Sequence, residues 1–239
     1  MEHPFIRQEM LLGAEAMQHL AASHVMVFGI GGVGSYAAEA LARAGIGAIT
    51  LVDNDTVSLT NLNRQLCALH STVGKYKSDV MADRIRDINP ECHVVSMPCL
   101  YNEENKDSFF ARPCDYIVDA IDLVSCKLSL IMNARERGIP IISAMGTGNK
   151  LDPTQFEITD ISKTQGCHLA RIMRKELRNR GVLHHTVLYS REEPAEAKQT
   201  EAPPPGRRSI PGSLSWVPSC AGLMMAGHVV RELCRGTSE

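Results

Sequence analysis

The sequence predicts a Rossmann-like α/β fold: a largely parallel sheet with helices on both faces. Two observations carry this. The stretch from Val25 to Asp55 has the order strand, tight turn, helix, strand of a mononucleotide-binding unit. Beyond it, short apolar runs keep alternating with helix-like segments as far as Ala144, as they do in successive βαβ units.

The first unit opens with Val25-Met26-Val27-Phe28 and turns through Gly29-Ile30-Gly31-Gly32-Val33-Gly34. Gly29 permits the turn, Gly31 lets backbone approach a phosphate, and Gly34 lets the helix pack close to the strand. The N–H groups opening that helix near Gly32 lack intrahelical partners, so they favour an anion. The second strand, Ile49-Thr50-Leu51-Val52, ends in Asp53-Asn54-Asp55. Asp53 stands where an acid can hold ribose hydroxyls. Glycines alone would equally suit a structural turn, and the motif specifies a nucleotide but no reaction.

A chain of 239 residues with 44% hydrophobic and 22% charged residues has ordinary globular composition. Its net charge of −2 means that a nucleic-acid partner needs a local basic patch. Met1-Glu2-His3-Pro4 lacks a secretory pattern. Leu214 to Val230, broken by Pro218 and His228, is short of a membrane span, so a cytoplasmic protein is expected. The eight cysteines form no CxxC pair, so no zinc is expected and free thiols are the default.

Taken in order, Phe5 to Leu12 and Ala14 to Ala22 read as helices broken at Gly13, with Arg7 in the first. Helix Gly32 to Ala44 follows the glycine turn. Ser58 to Gln65 comes after the acidic strand end, on the sheet's carboxyl edge, where such folds bind ligands. Val73-Gly74-Lys75-Tyr76-Lys77 opens a helix to about Asn89, where a lysine opposes the helix dipole; Lys77 facing a phosphate explains that cost, and the alternative is a solvated lysine. His93 to Met97 is a strand and Glu103 to Phe110 a helix. Tyr116-Ile117-Val118 is a buried strand ending in Asp119-Ala120-Ile121-Asp122. Asp122 is placed to hold Mg²⁺ or nucleotide, or one of the two acids could cap the helix from Ser125 to Arg137. Ile139 to Ala144 is a further strand, and Met145-Gly146-Thr147-Gly148 a flexible loop at the same edge.

Gln155 to Ile161 and Thr186 to Tyr189 read as strands, and Cys167 to Arg180 as a helix between them. Arg171, Arg174, Lys175 and Arg178 fall on one face of that helix, which suits solvation or phosphate contact equally. Arg191 to Pro211, which contains Arg207 and Arg208, has no apolar periodicity and reads as a linker or mobile loop. Ser219 is a candidate cap for a last helix ending near Cys234. The division expected is a nucleotide-binding core over 1–160 and an extension over 161–239, with its flexible loop at 191–214.

Arg7-Gln8, the glycine turn, Asp53-Asn54-Asp55, Asn61-Leu62-Asn63-Arg64-Gln65, Lys77 and Asp122 occur in the order and spacing of the ubiquitin-activating-like adenylyltransferase superfamily. The chain resembles that superfamily over roughly 5–160, by motif order. Features further along resemble its branch that acts on threonylcarbamoyl-adenosine in tRNA. These are Ile158 to Thr164, the basic helix, Tyr189 to Pro194 and Pro211 to Pro218. The missing CxxC pairs agree, because the sulfur-carrier branches usually carry a zinc site.

The resemblance implies an ATP-dependent enzyme that adenylates a carboxylate, usually as a homodimer, with Mg²⁺ and with room for a monovalent cation. It implies that Gly29, Gly31, Gly32, Gly34, Asp53, Asp55, Asn61 and Leu123 bind ATP, with Asp53 on the ribose. Arg64 and Asn61 would contact phosphates, Lys77 would neutralise phosphate charge, and Asp122 would hold Mg²⁺. Arg7 resembles an arginine that reaches the partner subunit's site, although on its own it reads as a solvated terminal residue. Arg171, Arg174, Lys175, Arg178, Arg207 and Arg208 are the expected tRNA contacts. Ring closure within the substrate requires no protein nucleophile, so neither Cys167 nor Cys234 is assigned one. A cysteine desulfurase or sulfur-acceptor system is a further partner that the resemblance allows. Competing readings are an adenylyltransferase for a ubiquitin-like sulfur carrier, a nucleotide-binding scaffold, and a nicotinamide-dependent reductase. The last leaves Arg64, Lys77 and Asp122 without work.

Overall fold

A computed structural model describes residues 3–198 and 210–235. Its strands are β1 (His24–Phe28), β2 (Ala48–Val52), β3 (His93–Met97), β4 (Tyr116–Asp119), β5 (Ile141–Ala144), β6 (Phe156–Asp160) and β7 (Thr186–Ser190). They form one sheet in the order β3-β2-β1-β4-β5-β7-β6. Neighbours are parallel, except that β6 runs antiparallel to β7. β6 and β7 therefore extend the same sheet across the expected boundary at 160.

The helices are α1 (Ile6–Leu12), α2 (Ala14–Ala22), α3 (Gly34–Arg43), α4 (Lys77–Ile88), α5 (Lys106–Phe109), α6 (Val124–Glu136), α7 (His168–Asn179) and α8 (Trp216–Cys234). Successive side chains of a strand point to opposite faces, and β1 shows what this does. Val25 and Val27 join Leu20, Leu41, Met81 and Met225 in one core, under α2, α3, α4 and α8. Met26 and Phe28 join Tyr101, Phe109, Ile131 and Met173 in the other, under α5, α6 and α7. The predicted two-sided cover is present.

α8 reaches furthest back along the chain. It lies against α3 so closely that a Cβ on Gly222 would sit 2.3 Å from the Val33 carbonyl oxygen. Two expectations need correction. Ser219 does not cap α8: the helix begins at Trp216, and Ser219 Oγ donates to the Ser215 carbonyl at 2.8 Å within its first turn. Pro218 lies inside that first turn, which tolerates proline because its N–H would have no partner there. The helix expected over 103–110 is only the short α5. Among the described residues, no helix is long and apolar enough to cross a membrane.

Candidate active site at the sheet switch point

Strand order reverses between β1 and β4: β1 continues outward to β2 and β3, whereas β4 continues to β5. Loops leaving the carboxyl ends of such neighbours diverge, and the crevice between them is where open α/β sheets hold ligands. A cleft of about 1740 Å³ opens there. It is lined by Gly29, Gly31, Gly32, Asp53, Asp55, Asn61, Arg64, Lys77, Asp122 and Leu123. Nearly all the predicted nucleotide residues are thus brought together from five separate segments.

The glycines divide the work by geometry. Gly29 has φ +85°, and a Cβ there would lie 2.6 Å from the Ala120 carbonyl oxygen. Gly34 stands behind the cleft, where a Cβ would lie 1.7 Å from the Gly29 carbonyl oxygen. At Gly31 the nearest atom to such a Cβ is Gln65 Nε2, at 3.8 Å. Gly29 and Gly34 are therefore needed by the fold, whereas Gly31 leaves room for a ligand. No side chain caps α3, and the Ser35 N–H donates to the Gly31 carbonyl at 3.0 Å.

Asp53 does more than the sequence suggested. Its Oδ2 accepts from the Ile30 N–H at 2.6 Å and its Oδ1 from the Asp55 N–H at 2.8 Å, which ties the end of β2 to the glycine turn. Burial pushes its pKa up, against the pull of those N–H donors and of Lys77. Lys77 opens α4 as expected, with its side chain 6% exposed, and donates to Asp55 Oδ2 at 2.8 Å. Its ammonium is held at the cleft wall by the exposed Asp55 carboxylate. Asn61 Oδ1 accepts from the Ser58 N–H at 3.1 Å. Arg64 is braced by the Thr60 carbonyl at 2.8 Å and by Asn63 Oδ1 at 3.0 Å, and burial lowers its pKa.

On the other side of the switch point, Asp122 and Leu123 lead into α6, whose first turn has no side-chain cap. The cap position of α6 is Leu123, so neither Asp119 nor Asp122 is its N-cap residue. Asp119 is wholly buried and accepts from Lys127 Nζ at 2.7 Å. Among the described residues, no group of three His, Cys, Asp or Glu could hold a metal by itself. The donor set nevertheless fits Mg²⁺, which is commonly bound by one or two carboxylates together with substrate phosphates.

Several predicted residues stand elsewhere. Arg7 is exposed on α1, outside the cleft of its own chain. Arg171, Lys175 and Arg178 are exposed on α7, and Arg171 meets His168 Nδ1 at 2.8 Å. Arg174 departs from that face: its Nη1 donates to the Thr164 carbonyl at 2.8 Å and contacts Thr164 Oγ1, tethering α7 to the turn before it. Arg207 and Arg208 lie outside the described residues. Burial pushes the thiols of Cys67 and Cys92 up to about 11 and that of Cys114 to about 12, so none is a ready nucleophile.

The far wall escaped the sequence reading. Asn149, at φ +58°, donates its N–H to the Gly212 carbonyl at 2.8 Å. Its Oδ1 accepts from the Gly212 N–H at 2.6 Å, and its carbonyl accepts from the Ala195 N–H at 2.8 Å. Lys150 is buried and donates to the Glu192 carbonyl, and Trp216 Nε1 donates to the Leu151 carbonyl at 2.9 Å. The described ends of the expected 191–214 loop are thus pinned. One signal was available for Lys127: a lysine among Cys126, Leu128, Leu130 and Ile131 must either leave the core or find a buried partner.

Comparison with known proteins agrees with this geometry. The ThiF family model matches residues 5–238. The tRNA threonylcarbamoyladenosine dehydratase of Bacillus subtilis is 46% identical, over 98% of this chain and 96% of its own. The Escherichia coli protein of that name is 47% identical over 71% of this chain and 63% of its own. The crystal structure of E. coli TcdA, a tRNA N6-threonylcarbamoyladenosine dehydratase, in complex with ATP superposes with a TM-score of 0.88. It has 38% sequence identity and covers 98% of this chain and 95% of its own. The chain belongs to the ThiF family.

Proposed function

We propose that this chain is an ATP-dependent tRNA threonylcarbamoyladenosine dehydratase that cyclises the modified adenosine beside the anticodon. One observation carries the reading. Two cations and an acid from three distant segments, Arg64, Lys77 and Asp122, line a single cleft at the switch point.

In this reading an oxygen of the threonyl carboxylate attacks the α-phosphorus of ATP, the bond to the bridging oxygen breaks, and pyrophosphate leaves. The side chain's own nitrogen or oxygen then attacks the activated carbonyl carbon. AMP departs with the bonding electrons, a proton is lost, and the net change is removal of one water. Gly31 and the start of α3 receive phosphate, and Asp53 the ribose. Arg64, with Asn61, binds phosphate through its donor fork. Lys77 moves from Asp55 toward phosphate oxygens, stabilising charge that builds as the α–β bond breaks. Asp122 holds Mg²⁺, which when bound neutralises phosphate charge. Nucleophile and electrophile share one molecule in the second step, so positioning suffices.

The exposed Arg171, Lys175 and Arg178, with Arg207 and Arg208, provide phosphate contacts for the tRNA, which puts the enzyme with the cytoplasmic tRNA pool. Arg7 completes the cleft of a second copy in a homodimer. Mixing Arg7→Ala with Lys77→Ala protein should then restore roughly a quarter of wild-type turnover, because one site of each heterodimer is intact. No recovery on mixing would remove Arg7 from the site.

Mass spectrometry of the anticodon-loop nucleoside tests the whole reading. Wild type with ATP should yield the cyclised product, and Lys77→Ala should lower the rate about 10²- to 10³-fold, the usual loss of one transition-state donor. Pyrophosphate exchange with a Gly-Gly-ending carrier protein, and none with tRNA, would instead favour the sulfur-carrier reading. Unchanged modification by Lys77→Ala would favour a scaffold.

A further inference from the structure

A buried ion pair lies at the base of the turn that carries Asp122. Asp119, the last residue of β4, and Lys127, in the first turn of α6, are both 0% exposed. Lys127 Nζ donates to Asp119 Oδ2 at 2.7 Å, and Asp119 Oδ1 accepts from the Ile121 N–H at 3.1 Å. One carboxylate therefore joins three parts: the strand end, the helix, and the 120–122 turn between them. On the next strand Ser143 is the register partner of Asp119, and its hydroxyl meets Nε2 of the buried His185 at 2.8 Å. The turn also touches the glycine loop, since Gly29 has no room for a Cβ against the Ala120 carbonyl oxygen.

Stability is a poor reason for this pair. Removing two charges from water costs several kcal/mol per ion, and an apolar pair of similar volume is often as stable or more so. Direction is a better reason. An apolar side chain at 119 offers nothing to the Ile121 N–H, whereas a carboxylate anchored from α6 holds that amide, and with it the turn, in one place.

We propose that Lys127 and Asp119 are positioning residues, which hold the 120–122 turn so that the Asp122 carboxylate faces the Mg²⁺ that would accompany the phosphates of ATP. The inference rests on reading the cleft as an ATP site. Lys127 touches no reactant; it acts through Asp119 on the turn. The pair plays the part of an outer-shell partner behind a metal-binding carboxylate.

Two double variants of the full chain test this, with ATP affinity measured by titration calorimetry in Mg²⁺ and again in EDTA. Asp119→Leu with Lys127→Met removes the charges together with the acceptor. It should melt at or above the wild-type temperature, yet lose about tenfold in Mg²⁺-dependent ATP affinity, the usual cost of an outer-shell change. Affinity in EDTA should not move. Asp119→Asn with Lys127→Met keeps a neutral acceptor for Ile121 but frees it from α6, and should lose about threefold in Mg²⁺-dependent affinity, between wild type and the Leu/Met variant. Wild-type Mg²⁺-dependent affinity in a folded Leu/Met variant would overturn the proposal. If that variant does not fold, wild-type Mg²⁺-dependent affinity in the Asn/Met variant overturns it instead. Failure of wild type to bind ATP in either condition would instead bring down the reading of the cleft.

Discussion

The two walls of the cleft are built on different scales. The wall beside the glycine turn is local: Asp53 reaches Ile30 and Lys77 reaches Asp55 across 23 and 22 residues. The far wall is assembled from remote pieces: Asn149 reaches Gly212 across 63 residues and Trp216 reaches Leu151 across 65. Asn63 Nδ2 donates to the Ser213 carbonyl across 150, joining one wall to the other. A wall closed within two consecutive βαβ units leaves its signature in nearby residues. A wall closed across the chain leaves only scattered polar residues that look like loop.

This contrast can be broken by substitution. The largest effect is expected at Gly34, where alanine would force a Cβ into the Gly29 carbonyl. Gly34→Ala should destabilise by more than about 4 kcal/mol, in the exceptional range for one substitution. Gly31→Ala should leave stability within about 0.5 kcal/mol, because no contact is lost, and weaken ATP binding instead. Thermal melts with and without ATP separate the two; equal melting losses would mean that the glycines do not divide between fold and ligand.

Asn149 sharpens the comparison from the other wall. Asn149→Ala loses the bond to the Gly212 N–H and puts a Cβ residue without local hydrogen bonding in the left-handed region. It should cost about 2 kcal/mol in a urea melt, roughly 1 for each term. Asn149→Gly should cost only about 1 kcal/mol, since glycine adopts that backbone freely. If glycine proves as costly as alanine, the backbone conformation is not part of the clasp.

The smallest effect belongs to the surface of α7. Lys175→Ala and Arg178→Ala should leave the melting temperature unchanged, and each should reduce the salt slope of tRNA binding by about 1. Arg174→Ala should lower stability by about 1–2 kcal/mol, because it strips a charged donor from buried Thr164. Identical behaviour of the three cations in both assays would restore the single basic face and discard the tether.

Legibility followed the same line. The strands at His93–Met97 and Thr186–Ser190 could be read almost to the residue, because apolar runs bounded by turn signals mark them locally. α8 was misplaced at its start, because Pro218 in the first turn of a helix looks the same as Pro218 before one. The basic face of α7 was read from helical spacing alone, and spacing cannot report that Arg174 has a carbonyl to bind. Lys127 passed as one more helix lysine, because its partner Asp119 lies on a strand and only the packing of α6 onto β4 brings the two together.

By itself, the sequence determined the sheet's alternation with helices, the glycine turn, and the order of cations and acids that line the cleft beside it. Each depends on periodicity or on contacts within a few tens of residues, which the order of amino acids encodes directly. Tertiary structure alone decided which of those residues share a cleft and which lysine is buried. It also decided which arginine is a tether, and how Asn149 and Trp216 close the far wall. Those outcomes depend on strand order and on the burial of polar groups, and a buried polar group takes whichever partner the fold brings within reach.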